Sequence, residues 1–150
     1  MRRDRLQNFL YILAALASLF GLIDAIYLTV QHLTGQNVEC IASVGCETVL
    51  ASHYATIARV PLAAIGATAY FAVFSLATLA AFRQAHAREF FLVLVASMFG
   101  VTCWLLYIQA FILHAFCDYC LLSAGLVGVL TMIAIAIFFI ARKRSRLSGS

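Results

Sequence analysis

The sequence predicts an all-α fold: an integral membrane protein built as a four-helix bundle. Composition, segmentation and charge placement carry that prediction. Hydrophobic residues make up 65% of the 150 positions and charged residues 11%. The mean hydropathy is +1.01. A soluble domain of this size cannot hide so much apolar surface, so lipid must solvate most of it. The apolar residues fall into four runs, each close to the about 20 that a membrane helix needs. The net charge of +4 comes from basic residues gathered at the two ends and in one short loop. That is the pattern of an orientation signal and not of a nucleic-acid face.

The four spans are expected at about 9–30, 60–82, 90–113 and 118–141 of a single membrane domain covering 1–150, with no fused thioredoxin domain. None of the runs alternates with period two, which excludes barrel strands. Pro61 suits the first turn of span two, where a missing N–H costs nothing. Gly66, Gly100, Gly125 and Gly128 lie inside the runs and are expected to let helix backbones approach closely. Met1 to Arg5 resembles the n-region of a signal peptide, and Ala15-Leu16-Ala17 a cleavage site. The run that follows exceeds the roughly 7–15 residues of such a leader, so span one is expected to stay as a helix.

Orientation follows from Arg2, Arg3 and Arg5, Arg83 and Arg88, and Arg142, Lys143, Arg144 and Arg146. The remaining loops, 31–59 and 114–117, hold only Arg59. The positive-inside rule therefore predicts a multi-pass protein of the plasma (inner) membrane with both termini cytoplasmic. The first loop and the start of span four would face the outer, periplasmic side.

Four of the five cysteines lie on that outer side, as the pairs Cys40/Cys46 and Cys117/Cys120. Disulfides persist in such a compartment. Cys117 and Cys120 are one turn apart where span four begins. A helix N-terminus offers partial positive charge and unpaired N–H groups, which favour thiolate. Thiolate is the attacking form in disulfide exchange, so this pair is built to react. Cys40 and Cys46 share a loop with Gly35 and Gly45 that can bend and move. A mobile dithiol can meet a soluble partner on one side and the fixed pair on the other.

Two static disulfides stapling the outer loops would use the same residues, giving a non-catalytic membrane protein. A four-cysteine zinc site fits less well, because five residues separate Cys40 from Cys46; no metal is expected. Cys103, within span three, is expected to be a small apolar packing residue. No haem, nucleotide or iron–sulfur motif offers an electron acceptor. A quinone dissolved in the bilayer, ubiquinone or menaquinone, is the natural one, with its ring near Cys120 between apolar bundle walls.

Asp24 is an ionisable group inside an apolar run, and such residues are candidates for function, here proton supply or quinone contact. His32, His53 and His114 fall on the outer side and titrate in a useful range. Tyr107 and Gln109 could hydrogen-bond a quinone carbonyl. Tyr54 and Trp104 suit the membrane interface.

These residues resemble the bacterial branch of the vitamin K epoxide reductase (VKOR) family. The likeness rests on Cys40-x5-Cys46 in the first outer loop, Ser52 six residues on, Pro61-Leu62 with Gly66, and Cys117-x-x-Cys120 opening span four. The resemblance implies a short amphipathic half-helix in the first outer loop, covering a quinone held in the bundle. It implies a disulfide-forming enzyme that oxidises a thioredoxin-fold, DsbA-like partner and reduces quinone. By position, Cys40 exchanges with the partner, Cys46 passes the disulfide to Cys117, and Cys120 stands beside the quinone. Ser52 holds the half-helix or hydrogen-bonds near the cysteines. Vitamin K epoxide is the alternative substrate for the same site. Animal members bear a tyrosine seven residues past the first cysteine of the motif, where this chain has Ala124, so their quinone contacts do not transfer.

Overall fold

The structure, a computed structural model, describes the backbone of residues 2–35, 41, 45–57, 60–84 and 86–148, and the side chains of these apart from 2, 3, 57 and 144–148. Cys40, Arg59 and the side chains of Arg2, Arg3, Arg144 and Arg146 lie outside the described residues. Helix α1 runs Arg2–Thr34 and α2 is the short Cys46–Leu50. A 3-10 turn, His53–Ala55, leads into the two-residue strands β1 (Thr56–Ile57) and β2 (Val60–Pro61), which pair antiparallel. Then come α3 (Leu62–Ala81), α4 (Ala87–Tyr107) continued by a π-helical turn (Ile108–Leu113), and α5 (Asp118–Ser148).

Four helices are long and apolar enough to cross a membrane: Asp4–Thr34, Leu62–Ala81, Ala87–Leu113 and Asp118–Lys143. The expected spans are therefore present, with α1 and α5 running past their apolar stretches at both ends or one. Span two differs at its start. Val60 and Pro61 belong to β2, and Pro61 caps α3 with φ −58° and ψ 132°, an extended conformation outside the helix. The half-helix is α2, a single turn with Cys46 and Val49 buried. At the end of α1, Gly35 takes φ +66°, and its N–H reaches the His32 carbonyl at 3.4 Å. A left-handed residue of this kind stops a helix at low cost when it has no Cβ.

The membrane helices close into a ring in which α1 and α4 each pack on α3 and α5. The buried face of α1 explains the seam. Tyr11, Ala14, Ser18, Gly21, Ala25 and Leu28 are buried, in alternating steps of three and four. That is the 3.5-residue repeat of left-handed helix packing, here filled mostly by small side chains. Opposite it, Tyr70 of α3 is 2% exposed. Its hydroxyl donates to the Ser123 carbonyl at 3.1 Å and shares a 2.8 Å hydrogen bond with the Ser123 hydroxyl, tying α3 to α5. At the end bearing the chain terminus, Arg83 lies 3.6 Å from Asp4 and joins the α3–α4 turn to α1.

The glycines correct one expectation. A Cβ at Gly66, Gly100, Gly125 or Gly128 would meet nothing within 4 Å, so none of them serves close backbone approach. Gly21 does: a Cβ there would overlap the Tyr70 ring. Gly21→Leu should therefore destabilise the bundle by about 1–3 kcal/mol, the usual range for overpacking. Thermal unfolding in detergent reads this, with Gly100→Ala as the control whose midpoint does not fall.

Candidate active site

Cys117 caps α5. It is fully buried, and its carbonyl accepts the Leu121 N–H at 2.9 Å. Its own N–H donates to Oε1 of Gln109 at 3.2 Å. Gln109 is 4% exposed and sits in the π-helical turn, where its backbone carbonyl also accepts the Ala115 N–H at 3.2 Å. One residue thus holds both ends of the 115–117 segment. Between the turn and that segment, His114 adopts φ +48°, which folds the chain back toward α5. A local π turn is a frequent companion of functional sites, and here it sets the entry to the Cys-x-x-Cys helix.

The Cys117 thiol is lowered to about 7 from an ordinary value of 9.0. The main cause is the Cys120 thiol, which hydrogen-bonds to its sulfur; the backbone N–H groups of Cys120 and Tyr119 add to it. Burial and the Asp118 charge push the other way. The helix-start chemistry expected from spacing is therefore present, with the neighbouring thiol as the largest contributor.

Cys46 opens α2 and is 1% exposed. It is disulfide-bonded, whereas Cys117, Cys120 and Cys103 are free. Cys46 and Cys117 share one buried cluster with Leu28 and Val49. Gly45 makes that meeting possible: a Cβ on it would overlap the Phe116 backbone. Gly45 is thus a close-contact position and not only a bending point. Ser52 closes the half-helix by donating its hydroxyl to the Val49 carbonyl at 2.6 Å.

Below the cysteines lies a cavity of about 340 Å³ inside the helix ring. Asp24, Leu28 and His32 line it from α1, Ser52 and Tyr54 from the loop, Tyr70 from α3, Gln109 from the π turn and Cys120 from α5. Cys120 opens onto this space; Cys117 does not line it. The walls are chiefly aliphatic, with a few polar groups near the cysteine end, as in ordinary small-molecule sites.

Several expected residues face elsewhere. Tyr107 is 55% exposed and stacks on Phe111 at 5.0 Å on the outer surface of the bundle. Two residues before inward-facing Gln109, it lies about 200° away round the helix. Cys103 is exposed on the outer face of α4, so it does not pack in the interior. His53 and His114 are exposed and do not line the cavity. Spacing gave no hint of the Tyr70–Ser123 tie or of the role of Gly45; a lone tyrosine in span two and a glycine directly before a loop cysteine were the available signals.

A membrane helix ring with a Cys-x-x-Cys pair at the mouth of an apolar cavity, and a third buried cysteine packed against it, has the makings of a membrane thiol-redox protein. The chain matches the vitamin K epoxide reductase family over residues 12–139, and it belongs to that family. Membership makes it an oxidoreductase of membrane quinone and disulfide chemistry in the general sense.

In the reduced protein, alkylation of Cys117 by iodoacetamide should rise with pH through a midpoint near 7 and fall away below it. Cys120→Ala should move that midpoint upward, because it removes the largest stabiliser of the thiolate. Mass mapping of the alkylated peptide reads both.

Proposed function

We propose that the protein is a thiol:quinone oxidoreductase that makes disulfides on the outer side of a plasma membrane. The observation that carries this reading is the division of labour between two thiols one turn apart. Cys120 lines the cavity, while Cys117 is buried against Cys46. Electrons would run from a reduced thioredoxin-fold, DsbA-like partner to Cys40 and Cys46, then to Cys117 and Cys120, then to ubiquinone or menaquinone.

The residues fit a quinone ring. Such a ring is flat and apolar, with two acceptor oxygens at its edges. The cavity has apolar walls, and Gln109 supplies a polar group at the end where Cys120 lines it. A bound quinone supplies a two-electron oxidant. Around it, the chain's own groups divide the work. Gln109 holds Cys117 at the helix start, where its sulfur, in a Cys117–Cys120 disulfide, would be open to attack by the Cys46 thiolate. Cys120, on the cavity side, would leave as a thiol, and Cys40 would resolve the mixed disulfide by attacking Cys46, so that the outer pair ends oxidised and Cys117 and Cys120 hold the two electrons for the quinone. Ser52 keeps α2 closed over the site through the Val49 carbonyl.

Purified protein given a reduced thioredoxin-fold partner should reduce ubiquinone or menaquinone analogues. Cys120→Ala should abolish that turnover and trap a disulfide between Cys46 and Cys117, visible by non-reducing mass mapping. Full turnover in this variant would overturn the relay. Turnover of vitamin K epoxide in place of quinone would assign the site its alternative substrate. A membrane-impermeant thiol reagent that reached the four cysteines only from the cytoplasmic side would refute the orientation.

A further inference from the structure

Among the described residues, Asp24 is the one acidic side chain that lines the cavity, and the thiol relay does not use it. It lies ten residues before the end of α1, a depth of about 15 Å along the helix. Its side chain is 9% exposed. Among the described residues its carboxyl group takes part in no hydrogen bond and no ion pair. No sealed side-chain oxygen lacks a partner in these residues, so the Asp24 oxygens are not enclosed by protein; they open into the cavity. A carboxyl group with no partner among the described residues is costly to keep at this depth, and such groups are candidates for function.

The groups around it narrow its role. Tyr70 of α3 and Tyr119 and Cys120 of α5 are within its electrostatic reach. The Tyr70 hydroxyl is committed to Ser123. Tyr119 pairs with Tyr27 of α1, with ring centroids 5.4 Å apart. His32 also lines the cavity, but it is eight residues along α1, about 12 Å, with buried Leu28 between. Tyr54 reaches the cavity from the loop, and Gln109 carries no charge. Cys120 is the group with a proton to lose.

Resting on the quinone reading above, we propose that Asp24 is the proton-transfer group of this site, carrying the Cys120 thiol proton to a quinone oxygen. The step balances. The Cys117–Cys120 S–S bond forms, two S–H bonds are lost, two electrons leave the sulfurs, and two O–H bonds form on the acceptor. Asp24 gives its proton to one acceptor oxygen and regains one from Cys120. The Cys117 proton, half dissociated near pH 7, goes to water at the outer face, and a proton from that water reaches the second oxygen. Asp24 ends as it began. The arrangement matters because the cavity walls offer few other proton carriers, and a buried acceptor cannot take electrons without them.

The test uses the full chain in lipid nanodiscs, with a short-tailed ubiquinone as probe and dithiothreitol as reductant. Asp24→Asn should lower quinone reduction by about 100-fold or more, the lower bound for loss of a general acid. Two readouts without turnover should be unmoved: binding of the short-tailed quinone by equilibrium dialysis, and the rate of exchange between Cys46 and Cys117. A carboxylic-acid carbonyl band in the infrared difference spectrum between oxidised and reduced protein should vanish in the Asn variant. Asp24→Glu should restore part of the rate and shift its pH profile. Turnover of the Asn variant within about threefold of wild type, below any general-acid contribution, would overturn the proposal. So would loss of quinone binding in proportion to rate, which would make Asp24 a binding group. If the Asn variant fails to fold, an unshifted pH profile in the Glu variant overturns it instead. Failure of the quinone reading itself is separate, since wild-type protein would then not reduce quinone at all.

Discussion

The approach of Cys46 to Cys117 depends on the seat of one glycine. Gly45 lies against the Phe116 backbone with no room for a Cβ, and it brings Cys46 into the same buried cluster as Cys117. The other half of the seat is the segment it rests on. Gln109 grips that segment twice, through its carbonyl to Ala115 and its side chain to the Cys117 N–H. A loop approaching a helix start would ordinarily leave buried backbone groups unpaired. Here one amide side chain satisfies the donor that matters most, and the helix keeps its thiolate-favouring end.

From that seat the rest of the site follows. Cys117 and Cys120 are one turn apart, near enough for their sulfurs to interact, yet the two thiols have different surroundings. Cys117 meets the loop, and Cys120 meets the cavity. The bundle beneath must then hold an opening without collapsing. The α1 seam of small residues draws α1 and α3 together, and the Tyr70–Ser123 bonds brace α3 against α5 across the ring. Tight packing on one seam and a polar brace across the middle leave space between helices at the end where the cysteines are.

Much of this was legible in the chain. Four apolar runs and a skewed distribution of arginines announce a membrane bundle, because no other solvent accommodates that composition. The Cys-x-x-Cys pair was placed correctly because the last apolar run begins one residue after Cys117. Helix phase was the weak point. Tyr107 and Gln109 looked equivalent as hydrogen-bonding residues in span three, yet the helix turns one to lipid and the other inward. Cys103 went astray for the same reason. In a lipid-exposed helix both faces are apolar, so periodicity does not mark the inner one as it does in a soluble helix. The glycines misled similarly: close contact depends on the partner's side chain, and Tyr70 opposite Gly21 is a tertiary fact.

The π-helical turn has a further consequence. A turn of this kind is equivalent to one residue inserted into a regular helix. Taking a single residue out of Ile108–Leu113 would restore the ordinary ladder and rotate everything beyond it by about 100°. Gln109 and the start of α5 would then no longer share a register. Gln109 apart, the length of this stretch is accordingly more constrained than its composition: swaps among its apolar residues leave the register intact, whereas an indel would swing Cys117 and Cys120 out of place.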